Sequence, residues 1–459
     1  AAKFGIGTVG GKVAELPTKI KENFDVIVKG DPEVFVYEVI REDSLEKADP
    51  YTMRASYNEI EEFIIKGTRI VTQHPNYGLN LIIELETYRG CPRVITGGCS
   101  FCIEPLYGLP KFREQKCIVK EVEELYKLGV KFFRLGRQPD IFVYKARKVG
   151  LEEFPKPEPS EIEKLFRGIR NVAPHLKTLH IDNVNPGTVA HHPKESREVA
   201  KIIIKYHTPG DVAAFGVESV DPMVVKQNNL KVTMEEALKA VKVINEVGAR
   251  RGYNGLPELL PGINLLFGLK GETKKTYELN YEFLKKIVEQ GLLIRRINIR
   301  QVMVFPRTRM WTIGDKVIRK HKSYFKSFKL KVKKNIEPVL LRRLVPKGTV
   351  LREVFTEKYI NEYTYARQVG SYPLMLKIPE KLPLRKFMDF TIVDHEHRSA
   401  IAIPYPLNVN KAKPKLLRLI PYMSRDEVLA ILKNRPFKNL EEISLVLKNR
   451  ECLKYLTVC

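Results

Sequence analysis

The chain contains no apolar run long enough to span a bilayer and no secretory signal, so neither a membrane-spanning nor an exported protein is expected. Cysteine is scarce. Six in 459 residues are too few for a disulfide scaffold and suit a reducing cytoplasm, where thiolates serve metals. No histidine precedes His74 and no cysteine precedes Cys91. Acid is the remaining deficit. Against 79 Lys and Arg stand 54 Asp and Glu, a net charge of +25. That excess implies an anionic partner, with nucleic acid first and an anionic membrane surface second. Hydrophobic residues make up 44% of the chain, enough for a sizeable core and two or three domains.

Half of the cysteines fall in one run. Thr87-Tyr88-Arg89-Gly90-Cys91-Pro92 is followed by Gly97-Gly98-Cys99-Ser100-Phe101-Cys102. The preceding Leu81-Ile82-Ile83-Glu84-Leu85 reads as a buried strand. The three thiols therefore sit on the loop leaving its C-terminal end, where α/β barrels carry their chemistry. Three thiolates can hold three irons of a 4Fe-4S cluster and leave the fourth open for reaction. The alternative is a closed four-thiolate zinc knot completed by Cys117. Cys452 and Cys459 receive no role.

This run resembles the signature of the radical S-adenosylmethionine (SAM) superfamily, in an archaeal-type chain. The family spaces its cysteines by three and two residues, with an aromatic before the last; Phe101 is that aromatic. The departure is the first gap, where residues 92–98 separate Cys91 from Cys99. Further segments match the family's strand ends in order: Phe133-Arg134-Leu135-Gly136-Arg137-Gln138, His180-Ile181-Asp182-Asn183, Gly216-Val217-Glu218-Ser219, and Pro261-Gly262-Ile263-Asn264-Leu265-Leu266-Phe267-Gly268. The glycine pair with glutamate usual in the first of these is missing.

The resemblance implies a 4Fe-4S cluster on Cys91, Cys99 and Cys102, with SAM held among Phe101, Arg137, Gln138, Asp182, Glu218, Ser219, Asn264 and Arg300. Phe101 would pack near the adenine, with residues 261–273 supporting it. Arg137 and Gln138 would lie by the amino group, and Glu218 and Ser219 by the ribose or carboxylate. It also implies reductive cleavage of SAM, a 5′-deoxyadenosyl radical that abstracts hydrogen, and an electron donor such as ferredoxin or flavodoxin. No protein acid–base residue is assigned. His191-His192 are polar candidates on a loop, where histidines more often have no role.

The expected fold class is α/β. Residues 81–310 alternate strand and helix patterns, with strands near 81–85, 131–135, 178–181, 212–215, 263–267 and 296–299. Repeated strand–helix units imply a parallel sheet, read as a partial (β/α)6 TIM-like barrel. Residues 1–45 read as a Rossmann-like fragment with a strand at 24–28. It resembles the end of a cobalamin-binding domain, but no cobalt-binding histidine motif is present, so cobalamin is possible but unsupported. A second cluster on N-terminal cysteines, as in methylthiotransferases, is likewise unsupported. The opening residues look like the middle of a domain, so further residues upstream are expected.

Residues 46–80 form a connector, and 311–339 a basic linker. Lysines and arginines crowd residues 307–347, interleaved with Tyr324, Phe325 and Phe328. That mixture suits phosphates and stacked bases. It equally fits an amphipathic helix with its aromatics in the core. Residues 340–410 resemble a TRAM domain, an OB-like β-barrel of RNA-modifying enzymes, with candidate contacts Arg367, Tyr372, His395, His397 and Arg398. Residues 411–459 resemble a helix-hairpin-helix tail whose turn, 421–424, lacks the usual glycines.

These features together lead us to expect a cytoplasmic radical SAM enzyme, a transferase or oxidoreductase, that modifies RNA and specifically tRNA. Methylthiolation, methylation or a related C–H functionalisation would be the reaction. Two alternatives stand beside it: a cobalamin-linked radical SAM methylase acting on a small molecule, lipid or protein, and a non-catalytic nucleic-acid-binding protein with a structural metal.

Overall fold

The computed structural model describes residues 10–15 and 22–458. Six parallel strands form its central layer: β1 (Ile83–Glu86), β2 (Phe132–Gly136), β3 (Thr178–Ile181, continued by Asn183–Val184), β4 (Asp211–Glu218), β5 (Leu259–Phe267) and β6 (Arg296–Gln301). They pair in sequence order; β3 meets β2 through its first part and β4 through its continuation. A helix of at least thirteen residues follows each of the first five strands: α2 (Gln115–Lys127), α3 (Pro159–Val172), α4 (Pro193–Tyr206), α5 (Met234–Gly248) and α6 (Lys274–Glu289). α1 (Pro32–Glu42) precedes them. Parallel neighbours require such crossovers, which is why strand and helix patterns alternate in the sequence.

Side-chain alternation decides what each face of the sheet does. Leu85, Phe133, Leu135, Leu179 and Ile263 are fully buried against Ile118, Val122, Leu165 and Ile244 of the helices. The alternate residues Glu84, Glu86, Arg134, Asn264, Asn298 and Arg300 carry the other face. Glu84 and Arg134 pair across β1 and β2 at 3.0 Å. A polar inner face cannot close as a second core, so it remains available as a binding surface.

Residues 1–9 and 16–21, where part of the Rossmann-like fragment was expected, lie outside the described residues. Residues 10–15 run beside the chain that follows β6: the Gly11 and Ala14 N–H groups donate to the carbonyls of Val302 and Val304, each at 2.8 Å. The expected strand at 24–28 does not form. Phe24 is 58% exposed, and without a buried face the segment has nothing to pair against.

The expected basic linker is helical. α7 (Lys322–Asn335) and α8 (Glu337–Leu344) present Phe325, Phe328, Val332, Ile336 and Leu340 as one apolar stripe. Phe328 packs on Phe267 and Tyr277 at 4.9 and 6.0 Å, and Tyr324 lies 5.8 Å from Tyr277. Phe325 and Phe328 are therefore packed against β5 and α6, whereas Tyr324, though beside Tyr277, stays 40% exposed on the side of the lysines.

Beyond α8 a closed five-strand barrel forms from β7 (Val350–Ile360), β8 (Tyr363–Gln368), β9 (Met375–Ile378), β10 (Phe387–His395) and β11 (Ser399–Pro404). Its order is β7-β8-β9-β11-β10, with β9 and β11 parallel and β10 closing onto β7. It docks at the N-terminal end of the sheet. Phe387 stacks on Phe132 at 6.0 Å, and Leu256 and Leu260 share its core. The loop between β8 and β9 reaches onto the sheet. Ser371 N–H donates to His180 Nδ1 at 2.9 Å, and Tyr372 O–H donates to Asp182 Oδ1 at 2.9 Å.

The tail carries α9 (Arg425–Asn434) and α10 (Leu440–Val446), whose core joins Val393 and Ile403 of the barrel. Ser424 and Glu427 form a reciprocal cap on α9. Among the described residues no helix is long and apolar enough to cross a membrane.

Candidate active site

The cysteine loop leaves β1 and is closed at its base by a short ribbon, Tyr88–Arg89 against Lys111–Phe112. The long first gap folds as one 3-10 turn, Pro92–Thr96, with Cys91 as its N-cap. Gly97 and Gly98 then reverse the chain at φ 82° and 61°, a region open to glycine at little cost. The extra residues thus shape the loop and displace no ligand.

Arg93, inside that gap, locks the loop. Its guanidinium meets Glu153 at 2.7 Å, the carbonyls of Asn229 and Leu230 at 3.0 and 3.3 Å, and Cys99 Sγ at 3.1 Å. Asn229 returns bonds to the carbonyls of Thr96 and Gly98, each at 2.9 Å. Ser100 Oγ donates to Asn228 Oδ1 at 2.7 Å. The loop is therefore clamped to the segment before α5.

Burial, with the charge of Cys99 adding to it, pushes Cys91 up to about 11 and Cys102 up to about 12. Three thiols crowded in this way favour a metal group that takes them as thiolates. Among the described residues no three His, Cys, Asp or Glu side chains converge on a single-ion site, whereas a four-iron cluster spreads its sulfurs over separate irons. Cys117, the fourth ligand of the zinc alternative, sits in α2 beside Glu61 and Arg113, away from the other three. The donor set fits a 4Fe-4S cluster.

Lys231 was not singled out from sequence. It lies half-buried beside Cys99, Cys102 and Glu218; burial lowers it, but Cys99 and Glu218 hold it above its ordinary value. Its Nζ donates to the Gly216 carbonyl at 3.2 Å, and a Cβ at Gly216 would stand 2.4 Å from it. The only signal was a lysine between Leu230 and Val232, both buried.

The sequence-derived SAM residues divide. Phe101 packs with Val224, Leu230, Leu269 and Val302 beside Cys102. Glu218 closes β4 at φ 64° and is raised by burial, opposed by Lys231 and Arg300. Arg137 ends β2 at φ 62° and donates to Glu86 at 3.3 Å. Two non-glycine residues held left-handed at the C-terminal ends of β2 and β4 mark local strain of the kind that gathers at functional sites. Asn264 accepts from Asn298 at 3.1 Å, and Arg300 donates to Asn298 at 3.0 Å, a ladder across β5 and β6.

Three residues are otherwise engaged. Gln138 is buried, accepting from Thr87 Oγ1 at 3.2 Å and donating to the Leu135 carbonyl at 3.3 Å, so its amide ties β1 to β2. Ser219 is buried on α6, accepting from Asp221 N–H and Asn280 Nδ2, both at 3.2 Å. Asp182 holds Tyr372 rather than standing open.

His191 stacks on Phe154 at 4.8 Å and His192 Nε2 donates to the Phe154 carbonyl at 2.8 Å; both are structural contacts. Of the expected RNA contacts, Arg367 is paired with Glu357, His395 with the Val345 carbonyl and Arg398 with Glu337.

Residues 85–284 match the model of the radical SAM superfamily. The chain belongs to the radical SAM superfamily. It is 52% identical over 402 residues to the uncharacterized protein MJ0274 of Methanocaldococcus jannaschii, covering 87% of this chain and 73% of that one. An uncharacterized protein of Archaeoglobus fulgidus is 45% identical over 361 residues, 79% of this chain and 66% of its own. The solved radical SAM methyltransferase TsrM from Kitasatospora setae, with tryptophan substrate and a SAM analogue bound, aligns at TM-score 0.37 and 17% identity, over 51% of this chain and 38% of that one. Radical SAM proteins are enzymes that require a reductant, and a 4Fe-4S cluster and SAM are this chain's cofactors.

Proposed function

We propose that this radical SAM enzyme modifies RNA, and that tRNA is its substrate class. Cys91, Cys99 and Cys102 hold the cluster; Phe101, Glu218, Asn264 and Arg300 border the space for SAM. When bound, these cofactors supply a radical able to remove hydrogen from an unactivated C–H. Lys231 balances the thiolate charge, and Arg93 keeps the loop in one geometry.

The observation that carries the RNA assignment is the closed barrel β7-β8-β9-β11-β10 docked on the sheet. This strand order is that of OB-like barrels, which take single strands and RNA loops. The solvent-facing lysines of α7, and a chain charge of +25, supply cations beside it. TRAM-like character of the barrel and helix-hairpin-helix character of the tail belong to the same reading. The 421–424 turn lacks glycines and places Tyr422 at φ 68°, so the tail serves mainly as packing.

Nucleoside mass spectrometry of tRNA and rRNA from cells with and without the gene tests this reading. One nucleoside missing from the deletion strain is the expected result, and its mass names the group installed. An unchanged nucleoside profile refutes RNA as the substrate.

A further inference from the structure

We propose that Arg295 and Arg296 form the inner wall of a phosphate-binding subsite at the N-terminal end of β6, remote from the cysteine loop. The subsite anchors a phosphate of the RNA substrate, and to that extent rests on the reading above.

A cavity of about 350 Å³ lies between the start of β6, helix α8, the loop at 372–374 and the turn at 397–398. Arg295 lines it and is only 9% exposed. Its backbone N–H donates to the Pro261 carbonyl at 2.8 Å, but its side chain forms no hydrogen bond or ion pair with any described residue, and its Nε is buried without a partner. Arg296 beside it also has a buried, unpartnered Nε, and its guanidinium covers the Tyr372 ring. Burial, with Arg296 adding to it, pushes Arg295 down to about 10. The one acid in the cavity wall, Glu337, is already bound by Arg398. The wall is thus cationic, its single carboxylate committed to Arg398 and none paired with Arg295.

A buried unpaired cation is costly to a fold, because nothing replaces the water it gave up. Its retention here indicates a ligand that completes it, since folds break such rules mainly at functional sites. Two adjacent guanidinium forks match phosphate oxygens.

The cavity shares His397 and Arg398 with an open groove of about 760 Å³ bordered by Lys333, Lys334 and Arg342. Cations therefore continue from the surface to the buried pair, as a phosphodiester chain requires. Arg296 and Gln301 are the two ends of β6, about 16 Å apart at strand rise. The bound phosphate is therefore not the reacting group. The substrate must be long enough to engage both ends of the sheet.

The test uses the whole chain with its cluster, adenosine 5′-monophosphate as the small probe and a fluorescent single-stranded RNA as the long one. Calorimetry should show saturable binding of the monophosphate and at least tenfold weaker binding by Arg295→Met. Without ligand, Arg295→Met should melt no lower than wild type; a structural role would lower the melting temperature. Arg295→Lys keeps the charge and should lose affinity by an intermediate factor. RNA affinity should fall in parallel. If Arg295→Met loses the monophosphate while neither protein binds RNA, the subsite stands and the RNA reading falls. If it loses the monophosphate but keeps full RNA affinity, the anchoring role is overturned. No binding of the monophosphate, or equal affinity in wild type and variant, overturns the subsite.

Discussion

Arg93 and Arg295 are both buried arginines, with side chains near the two ends of one sheet, and they differ in what surrounds them. Arg93 has a carboxylate, two carbonyls and a thiol within reach. The Arg295 side chain has none of these among the described residues. The first is a fastener: its charge is satisfied by the protein, and it holds a loop whose geometry the thiols need. The second is a cation without a protein counterion, facing a cavity. Burial alone does not say which role a charged residue has. The partner list does, because an unpaired buried charge is too costly to keep without a compensating ligand.

The comparison can be broken most severely at the thiols. Cys91→Ala, Cys99→Ala or Cys102→Ala should each abolish formation of 5′-deoxyadenosine from SAM under reducing conditions, with loss of bound iron. Normal turnover in any one would contradict the ligand set.

Removing the fastener comes next. Arg93→Met strands Glu153 and two carbonyls and should cost about 3 kcal/mol of stability, read by chemical denaturation, with reduced iron content. Arg295→Met should show no such loss of stability, so the two variants measured side by side sharpen the contrast.

The docking of the barrel supplies a pH test. Burial lowers His180 from 6.5 to about 4, against the pull of Asp211. Its Nε2 donates to the Thr208 carbonyl and its Nδ1 accepts from Ser371, so the neutral ring is the one that fits. The unfolded chain binds the proton more readily, so this contribution is complete above pH 6.5 and is lost as pH falls towards 4. The loss is on the order of 3 kcal/mol. Denaturation at pH 7 and pH 4.5 should differ more in wild type than in His180→Gln; equal differences would remove His180 from the interface account.

The smallest effect belongs to the exposed lysines. Lys333→Ala with Lys334→Ala should weaken RNA binding several-fold and reduce the slope of log affinity against log salt by about 2. An unchanged slope would mean that the groove does not carry phosphates.

Much of this arrangement was legible in the sequence because its signals are local. The Cys91–Cys102 spacing and the six apolar strand cores depend on neighbouring residues only. What escaped depends on long-range placement. Lys231 becomes a site residue only when the turn before α5 folds over the cysteine loop. Gln138 and Ser219 were read as facing the ligand, yet each is turned aside by partners distant in sequence, Thr87 and Asn280. Tyr324, Phe325 and Phe328 suggested base stacking because charge and aromaticity coincide in the sequence. The helical period separates them, placing Phe325 and Phe328 inward and the lysines outward. Tyr372 was read as a surface contact, and a loop between barrel strands carries it into the sheet instead.

The most direct test of the central claim is reductive SAM cleavage by the whole enzyme, followed as 5′-deoxyadenosine, with and without tRNA from cells lacking the gene. The product should rise when that RNA is present and return to the basal level after the RNA is digested. A yield identical in all three conditions would contradict an RNA substrate.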